Sequence, residues 1–346
     1  MNEAWTPQEI AAAETTLRDL LAGSLVMPVV LVAHEIGLYD FLGQKARSLA
    51  EVCERFQLEP RAAEGMLSMC ASAGILQQDQ GRFELCALGR LFFLEDSSYS
   101  FGAYWDMLLK RRALFSYDSI KDALLSGTPS FDRVFQTTPH SEEEGWAEAF
   151  TAALHARGQA PARVWPTRVD LSEHRVMLDI GGGSGVYSLE AVRKWPELSA
   201  VVLEREPVCP AAQIFIDKAG LQNRVRTQPG DFWAEAELPQ ADLHFYSEVF
   251  HNHSLEQCRL LSQKSFHQLP PGGRIMIHEM LLDEEKNGPL VAAAASVNML
   301  VWSPVGKQHT FKELRAVLEG VGFQQVETTA SSGYFSITSA RKPTEC

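Results

Sequence analysis

Four acidic or basic side chains in the second half of the chain sit where chemistry would need them. Asp179 closes a short apolar run, Val176 to Ile180, and leads into Gly181-Gly182-Gly183-Ser184-Gly185. Glu204 closes a second apolar run, and Asp231 follows a third, inside Gly230-Asp231-Phe232. His251 lies just past a fourth, in Ser247-Glu248-Val249-Phe250-His251-Asn252-His253. Strand, glycine turn and helix form the opening of a nucleotide-binding α/β unit, because glycines let backbone N–H groups approach a ligand closely.

The spacing selects the nucleotide. A dinucleotide fingerprint needs a third glycine where this chain has Val186. A carboxylate two residues before Gly181 repels a pyrophosphate but suits a cation, such as the ammonium of S-adenosylmethionine. Glu204, with Arg205 beside it, is placed to accept from ribose hydroxyls, which by itself also fits NAD. Asp231 is expected to accept from an adenine amino group under Phe232, or simply to cap a turn. Taken together, three acids at three successive strand ends favour S-adenosylmethionine. Ser247 and His251 fall at the switch point of such a sheet, over the ligand. A phenol of pKa about 10 gains from an imidazole of pKa about 6.5 as general base.

The surrounding pattern must hold these groups. From Val176 strands and helices alternate: strands at 176–180, 200–204, 224–228, 241–246 and 273–280, helices at 184–194, 207–219 and 254–268. That reads as a parallel doubly wound sheet. Helices at Leu290–Trp302 and Thr310–Gly320 follow, and a closing hairpin (Gln325–Thr329, Tyr334–Ala340) adds an antiparallel strand. Upstream, Pro7–Ala22 and Leu25–Leu42 read as two helices with more apolar surface than a small domain buries, so a subunit interface competes with internal core. Helices at 49–56 and 60–73, then strands near 75–78 and 82–85, make a winged helix. Its second helix carries one basic residue, Arg61, against Glu64, so a scaffold role is expected rather than DNA recognition. Tyr99–Leu125 is expected to be helical; Tyr104 and Trp105 are core residues or walls of a substrate pocket. His155, on a helix over 146–163, is a core histidine or a substrate contact. Glu142–Glu144 reads as a solvated helix start. The expected domains are 1–95 (helical dimerisation and winged helix), 96–168 (helical linker feeding the pocket) and 169–346 (cofactor domain).

Composition narrows the class. At 346 residues, 45% hydrophobic and 22% charged, the chain is an ordinary soluble protein with room for two domains. A net charge of −13 opposes binding to nucleic acid. Six scattered cysteines without CxxC spacing read as reduced thiols of a cytoplasmic protein. Residues 1–8 lack a basic signal-peptide region, and Val26–Ile36 is too short an apolar run to span a bilayer, so no membrane partner is expected.

These motifs, with Leu269-Pro270-Pro271-Gly272-Gly273-Arg274, Leu281-Leu282-Asp283-Glu284, Gly288-Pro289-Leu290 and Val297-Asn298-Met299-Leu300, resemble the plant-type small-molecule O-methyltransferases, in particular the acetylserotonin O-methyltransferase-like branch. The resemblance covers nearly the whole chain. It implies a Rossmann-like cofactor domain, an N-terminal dimerisation domain and a homodimer. It also implies S-adenosylmethionine held at Asp179, Gly181, Gly183, Glu204, Gly230, Asp231, Phe232 and Ser247, His251 as base, and Asn298, with Trp302 near it, at the substrate. Two departures stand out. The family reads His-Asp-Trp where this chain has His251-Asn252-His253, and its downstream acid falls in Trp302–Gln308, which holds none. His251 is therefore expected to lack a carboxylate partner and to be a weaker base, with Asn252 beside it keeping a hydrogen-bonding group but no charge, and His253 either a substitute acid/base group or a solvated loop residue. That leaves S-methylation of a thioether acid such as methylthiohydroxybutyrate, or C-methylation, beside O-methylation, and a cofactor-sensing winged-helix regulator as the non-enzyme reading. Asn252 also removes the anionic ligand an iron site would need, so no metal is expected.

Overall fold

The computed structural model describes residues 5–130, 145–235 and 237–344. The expectation for Glu142–Glu144 lies outside them. Contacts divide the chain into two compact units, Met1–Leu109 and Lys110–Cys346. The division falls within the stretch 96–168.

In the first unit, α1 (Pro7–Glu35) is a single helix of 29 residues, opened by a Thr6–Glu9 capping box. It replaces the first expected helix and most of the second. Nothing around Gly23 forces a break, since a Cβ there would meet open space. The chain turns only at Gly37, whose φ of +77° is easy for glycine, before α2 (Leu38–Gln44). Continuous, α1 is long and apolar enough to cross a membrane by length and composition, which corrects the shorter run expected. The same test is passed by soluble helices whose apolar face is covered; here only Val30 and Ala33 are buried, while Ile10, Leu17, Leu20, Leu21 and Leu25 are exposed. Next come β1 (Arg47–Ser48), α3 (Leu49–Phe56), α4 (Pro60–Ser72), β2 (Leu76–Asp79) and β3 (Arg82–Leu85), with the sheet ordered β1-β3-β2. The two-residue β1 carries no periodic signal and is made by its pairing with β3. After α5 (Ala87–Phe92), α6 (Gly102–Lys110) brings Trp105 to stack on Phe93 at 5.3 Å, with Tyr104 edge-on beside it.

The second unit opens with a 3-10 turn at Arg112–Phe115, then α7 (Tyr117–Ser126) and α8 (Trp146–Val164). The expected long helix over 99–125 is thus three pieces. A seven-stranded sheet follows: β4 (Val176–Ile180), β5 (Ser199–Glu204), β6 (Val225–Pro229), β7 (Leu243–Ser247), β8 (Arg274–Met280), β9 (Gln324–Ala330) and β10 (Phe335–Arg341), in the order β6-β5-β4-β7-β8-β10-β9. Neighbours from β6 through β8 are parallel; β10 runs antiparallel to both β8 and β9. The connecting helices are α9 (Val186–Lys194), α10 (Cys209–Lys218), α11 (Leu255–Gln268), α12 (Leu290–Trp302) and α13 (Phe311–Val321). Two apolar cores flank the sheet, one around Trp165, Met177, Val202 and Phe245, the other around Leu178, Tyr246, Ile277 and Leu314. Both faces of the parallel strands are thereby covered, as such strands require. The order reverses direction between β4 and β7, which puts a crevice beyond their carboxyl ends.

Candidate active site

The glycine loop leaves β4 with Gly181, Gly183 and Gly185 all at positive φ (69°, 56° and 74°). Gly182 is held differently: a Cβ there would lie 2.5 Å from the Asp179 carboxyl carbon. Asp179 is fully buried. Its Oδ2 accepts from the Ser188 hydroxyl at 2.7 Å, while Oδ1 has no partner. Burial pushes its carboxyl up to about 7, with Glu204 adding to the rise and Ser188 opposing it. Three strand ends meet here. Gly181 N–H donates to the Leu203 carbonyl at the end of β5, and Gly230 N–H donates to the Glu204 carbonyl from the end of β6, each at 2.9 Å. The Glu204 carboxylate accepts from Gly183 N–H at 3.2 Å and from Arg205 N–H at 2.8 Å. Its pKa is raised, mainly by burial.

Asp231 is exposed and caps its own turn, accepting from Trp233 N–H at 2.8 Å. That is the simpler of its two expected roles, and it leaves the second carboxylate oxygen to spare. The Phe232 ring edge lies 3.7 Å from where a Gly181 Cβ would be, and so covers the loop. Ser247, at the end of β7, shares a hydrogen bond with His278 Nδ1 at 3.0 Å. His155 is placed on the cofactor side. Its Nδ1 is 2.9 Å from the Ser184 hydroxyl of the glycine loop, and its ring stacks on Phe215 at 3.9 Å. Burial lowers it to about 4, so it is neutral. It was expected to be core or a substrate contact, and its ring nitrogen is seen against the glycine loop.

His251 sits in a 3-10 turn, Phe250–Asn252, and is buried. The expectation that it has no acid is overturned. Its Nδ1 lies 2.7 Å from Glu279 Oε2, and its backbone N–H donates to Glu279 Oε1 at 3.2 Å. The carboxylate thus grips both the ring and the turn, and leaves Nε2 as the ring atom able to meet a substrate. Burial alone would lower this imidazole, but Glu279 and then Glu248 more than offset it, so its pKa is raised. Glu279 comes from β8, 28 residues downstream, within a strand and outside the turn that carries His251. The signal was there: an acid within the apolar strand Arg274–Met280 needs a partner. Asn252 does not stand in for the acid. It is exposed and its amide donates to the Glu248 carbonyl at 3.1 Å. His253, lowered by burial to about 4, faces Trp233 at 5.1 Å rather than His251's ring partner.

On α12, Asn298 Oδ1 accepts from the Trp302 indole at 3.1 Å, and the Arg111 guanidinium lies 6.0 Å from the Trp302 ring centre. Tyr104 and Trp105 pack in the aromatic cluster of the first unit. Among the described residues no group of three or more His, Cys, Asp or Glu is placed to hold a metal ion.

The residues present suit one cofactor. An unpartnered buried carboxylate oxygen beside a glycine loop asks for a cationic ligand, and Glu204 and Phe232 offer a diol acceptor and a ring cover. Sheet, loop and strand-end acids define an S-adenosylmethionine-dependent methyltransferase. Comparison with known proteins sharpens this. The O-methyltransferase domain family matches residues 117–324, and the O-methyltransferase dimerisation domain matches residues 18–95. The chain is 31% identical to 3-hydroxy-5-methyl-1-naphthoate 3-O-methyltransferase of Streptomyces sahachiroi, over 91% of this chain and 90% of that one. It is 28% identical to acetylserotonin O-methyltransferase of Bos taurus, covering 94% and 97% respectively. Its fold matches that of human N-acetylserotonin methyltransferase in complex with S-adenosylmethionine, with a TM-score of 0.83, 25% identity, and 99% and 100% of the two chains covered. The chain belongs to the O-methyltransferase family and is an S-adenosylmethionine-dependent enzyme acting on small molecules.

Proposed function

We propose that this enzyme methylates a hydroxyl oxygen of a small aromatic acceptor, with His251 as general base. One observation carries the reading: a buried imidazole whose Nδ1 is committed to Glu279, two residues on from Val249, whose side chain lies against the glycine loop at Gly181. The cofactor supplies an electrophilic methyl group, and the protein's own residues do the rest. Asp179 and Glu204 bind the cation and the sugar, Phe232 and Asp231 the base. Ser247, at the carboxyl end of β7, would be a further contact of the cofactor. His251 takes the hydroxyl proton on Nε2 while Glu279 stabilises the imidazolium that forms. Positioning of the two reactants supplies most of the acceleration of such an in-line displacement. Asn298 and Trp302 of the second unit are the proposed acceptor walls; the aromatic acceptors named for the relatives support flat, apolar walls.

The thioether and carbon acceptors rested on a histidine without an acid, and the Glu279 contact removes that motive. The sensor reading gives way to the family assignment. The exposed apolar stripe of α1 within the dimerisation domain supports a homodimer, and the helix, helix and hairpin over 49–85 supports a winged-helix scaffold inside it. Among the described residues five thiols are free, which supports a cytoplasmic setting.

The test is an acceptor panel including N-acetylserotonin and hydroxynaphthoates, with S-adenosylhomocysteine formation as readout. His251→Gln should cost at least about 100-fold in kcat with little change in cofactor affinity. Wild-type turnover in that variant rules His251 out as base.

A further inference from the structure

The turn that carries His251 is held from outside as well as from within. Phe250–Asn252 is a single 3-10 turn, closed by Asn252 N–H on the Val249 carbonyl and His253 N–H on the Phe250 carbonyl, each at 3.0 Å. Turns of this kind have poor hydrogen-bond geometry and hold a side chain loosely on their own. A second segment, residues 303–309 between α12 and α13, meets each of the three carbonyls of the turn. The Ser303 hydroxyl donates to the Asn252 carbonyl at 3.1 Å. Gly306 comes so close to the His251 carbonyl that a Cβ would lie 2.7 Å from its oxygen. The His309 ring reaches the Phe250 carbonyl with Nε2 at 3.2 Å, and the Cys258 thiol, a weaker donor, shares that oxygen at 3.4 Å. The segment is itself anchored on α12, where Ser296 Oγ accepts from Gln308 N–H at 3.0 Å.

We propose that this segment braces the general base, with His309 and Ser303 as its positioning residues: they fix the carbonyls of the turn so that the His251 ring stays on Glu279. The inference rests on His251 being the base, and it deepens that assignment. His309 holds more than the turn. Its own carbonyl accepts from Leu282 N–H at 3.0 Å, three residues past Glu279 on the chain leaving β8. One residue thus ties the turn that carries the base to the strand that carries its acid. The tautomer follows from the partner: a carbonyl only accepts, so the ring hydrogen is on Nε2 and Nδ1 is bare. Nδ1 has no hydrogen-bond partner, although Glu313 Oε2 stands 3.9 Å away. That carboxylate is already engaged by Lys286, Lys307 and Thr310 N–H. The buried ring therefore leaves one nitrogen unsatisfied while keeping the other on Phe250, which a residue that only filled space would not need. A displacement of about 1 Å can cost on the order of 100-fold in rate, so a turn this short gains from an outside hold.

The experiment is amide hydrogen exchange of the full-length unliganded protein, read by NMR at His251, Asn252 and His253. His251 N–H is the donor to Glu279 Oε1, so its exchange reports the contact between base and acid directly. His309→Leu removes the outside donor and should speed exchange of these three amides roughly fivefold or more. Gly181 and Gly230 N–H, which donate to the Leu203 and Glu204 carbonyls beneath the cofactor loop, should exchange as in the wild type. His309→Gln puts an amide nitrogen near the place of Nε2 and should bring protection back to within about twofold. A folded His309→Leu protein whose turn exchanges as the wild type does overturns the proposal. So does faster exchange at the turn and the glycines alike, which is a general loss of stability, or a His309→Gln protein no better protected than His309→Leu. If His309→Leu does not fold by circular dichroism, Ser303→Ala decides: faster exchange confined to the turn supports the proposal, and unchanged exchange overturns it. Because the experiment needs neither acceptor nor turnover, its failure is distinct from that of the His251→Gln activity assay, which tests the base itself.

Discussion

His251 has its ring and its backbone tied to the same carboxylate, and the pH behaviour follows. The pair is buried, so solvent screens it little. Because the folded-state pKa of His251 is raised, its ion pair with Glu279 stabilises the fold fully below pH ~6.5, and that contribution is lost as pH rises through the raised value. Activity runs the other way, since only the neutral ring accepts a proton. We expect kcat/KM to climb with pH through that raised value, and Glu279→Gln to shift the climb to lower pH while reducing kcat about 10–100-fold. A profile flat from pH 5 to 9 contradicts this. Asp179 offers a second case. Its carboxyl, raised to about 7 by burial, costs stability as pH rises above its unfolded value until a cation arrives. Asp179→Asn should therefore melt at least about 2 °C higher than the unliganded wild type at pH 8, yet bind S-adenosylmethionine at least tenfold more weakly by calorimetry. What the sequence shows divides along the same line. Asp179, Glu204 and Asp231 were legible because each ends its own apolar run. Glu279 was not, because what gives it meaning is the His251 turn, brought alongside by the parallel pairing of β7 with β8.

At the scale of elements, two loops set the site's precision. Gly182→Ala would drive a methyl into the Asp179 carboxylate, 2.5 Å away, and should abolish measurable cofactor binding while the fold survives by circular dichroism. Gly306, in the segment before α13, approaches the other side: a Cβ there would lie 2.7 Å from the His251 carbonyl oxygen. Gly306→Ala should lower kcat several-fold with cofactor affinity intact, since it displaces the base and not the loop. The glycine loop was readable from spacing alone. The Gly306 contact was not, because it joins segments 55 residues apart through the fold. From Val176 onward the helices and parallel strands came out within a few residues because apolar periodicity dictates them, whereas the helix expected over 99–125 is broken into three pieces. The N-terminal break was misplaced because Gly23 looks like a stop, whereas the turn actually uses Gly37.

For the whole molecule, α1 is the proposed seat of assembly. Ile10, Leu17, Leu20, Leu21 and Leu25 are exposed on a 29-residue helix that buries only two of its own residues. A second copy of this chain is the proposed cover. Leu17→Glu with Leu21→Glu should turn a dimer into a monomer in sedimentation, with the Asp179–Glu204 site still binding cofactor. A wild-type protein that sediments as a monomer contradicts the reading. The helix was legible as apolar, but its continuity was not, so its reach was underestimated.

Strand β8 carries one more implication. His278 and Glu279 are consecutive, so the pleat sends the imidazole toward Ser247 on one side of the sheet and the acid toward His251 on the other. Deleting any one residue between Arg274 and Ile277 would slide the strand by a single step and exchange the two sides. The serine would then meet an acid, and His251 would meet the Met280 thioether in place of a carboxylate. The reaction thus depends on the parity of a strand whose other residues never approach it.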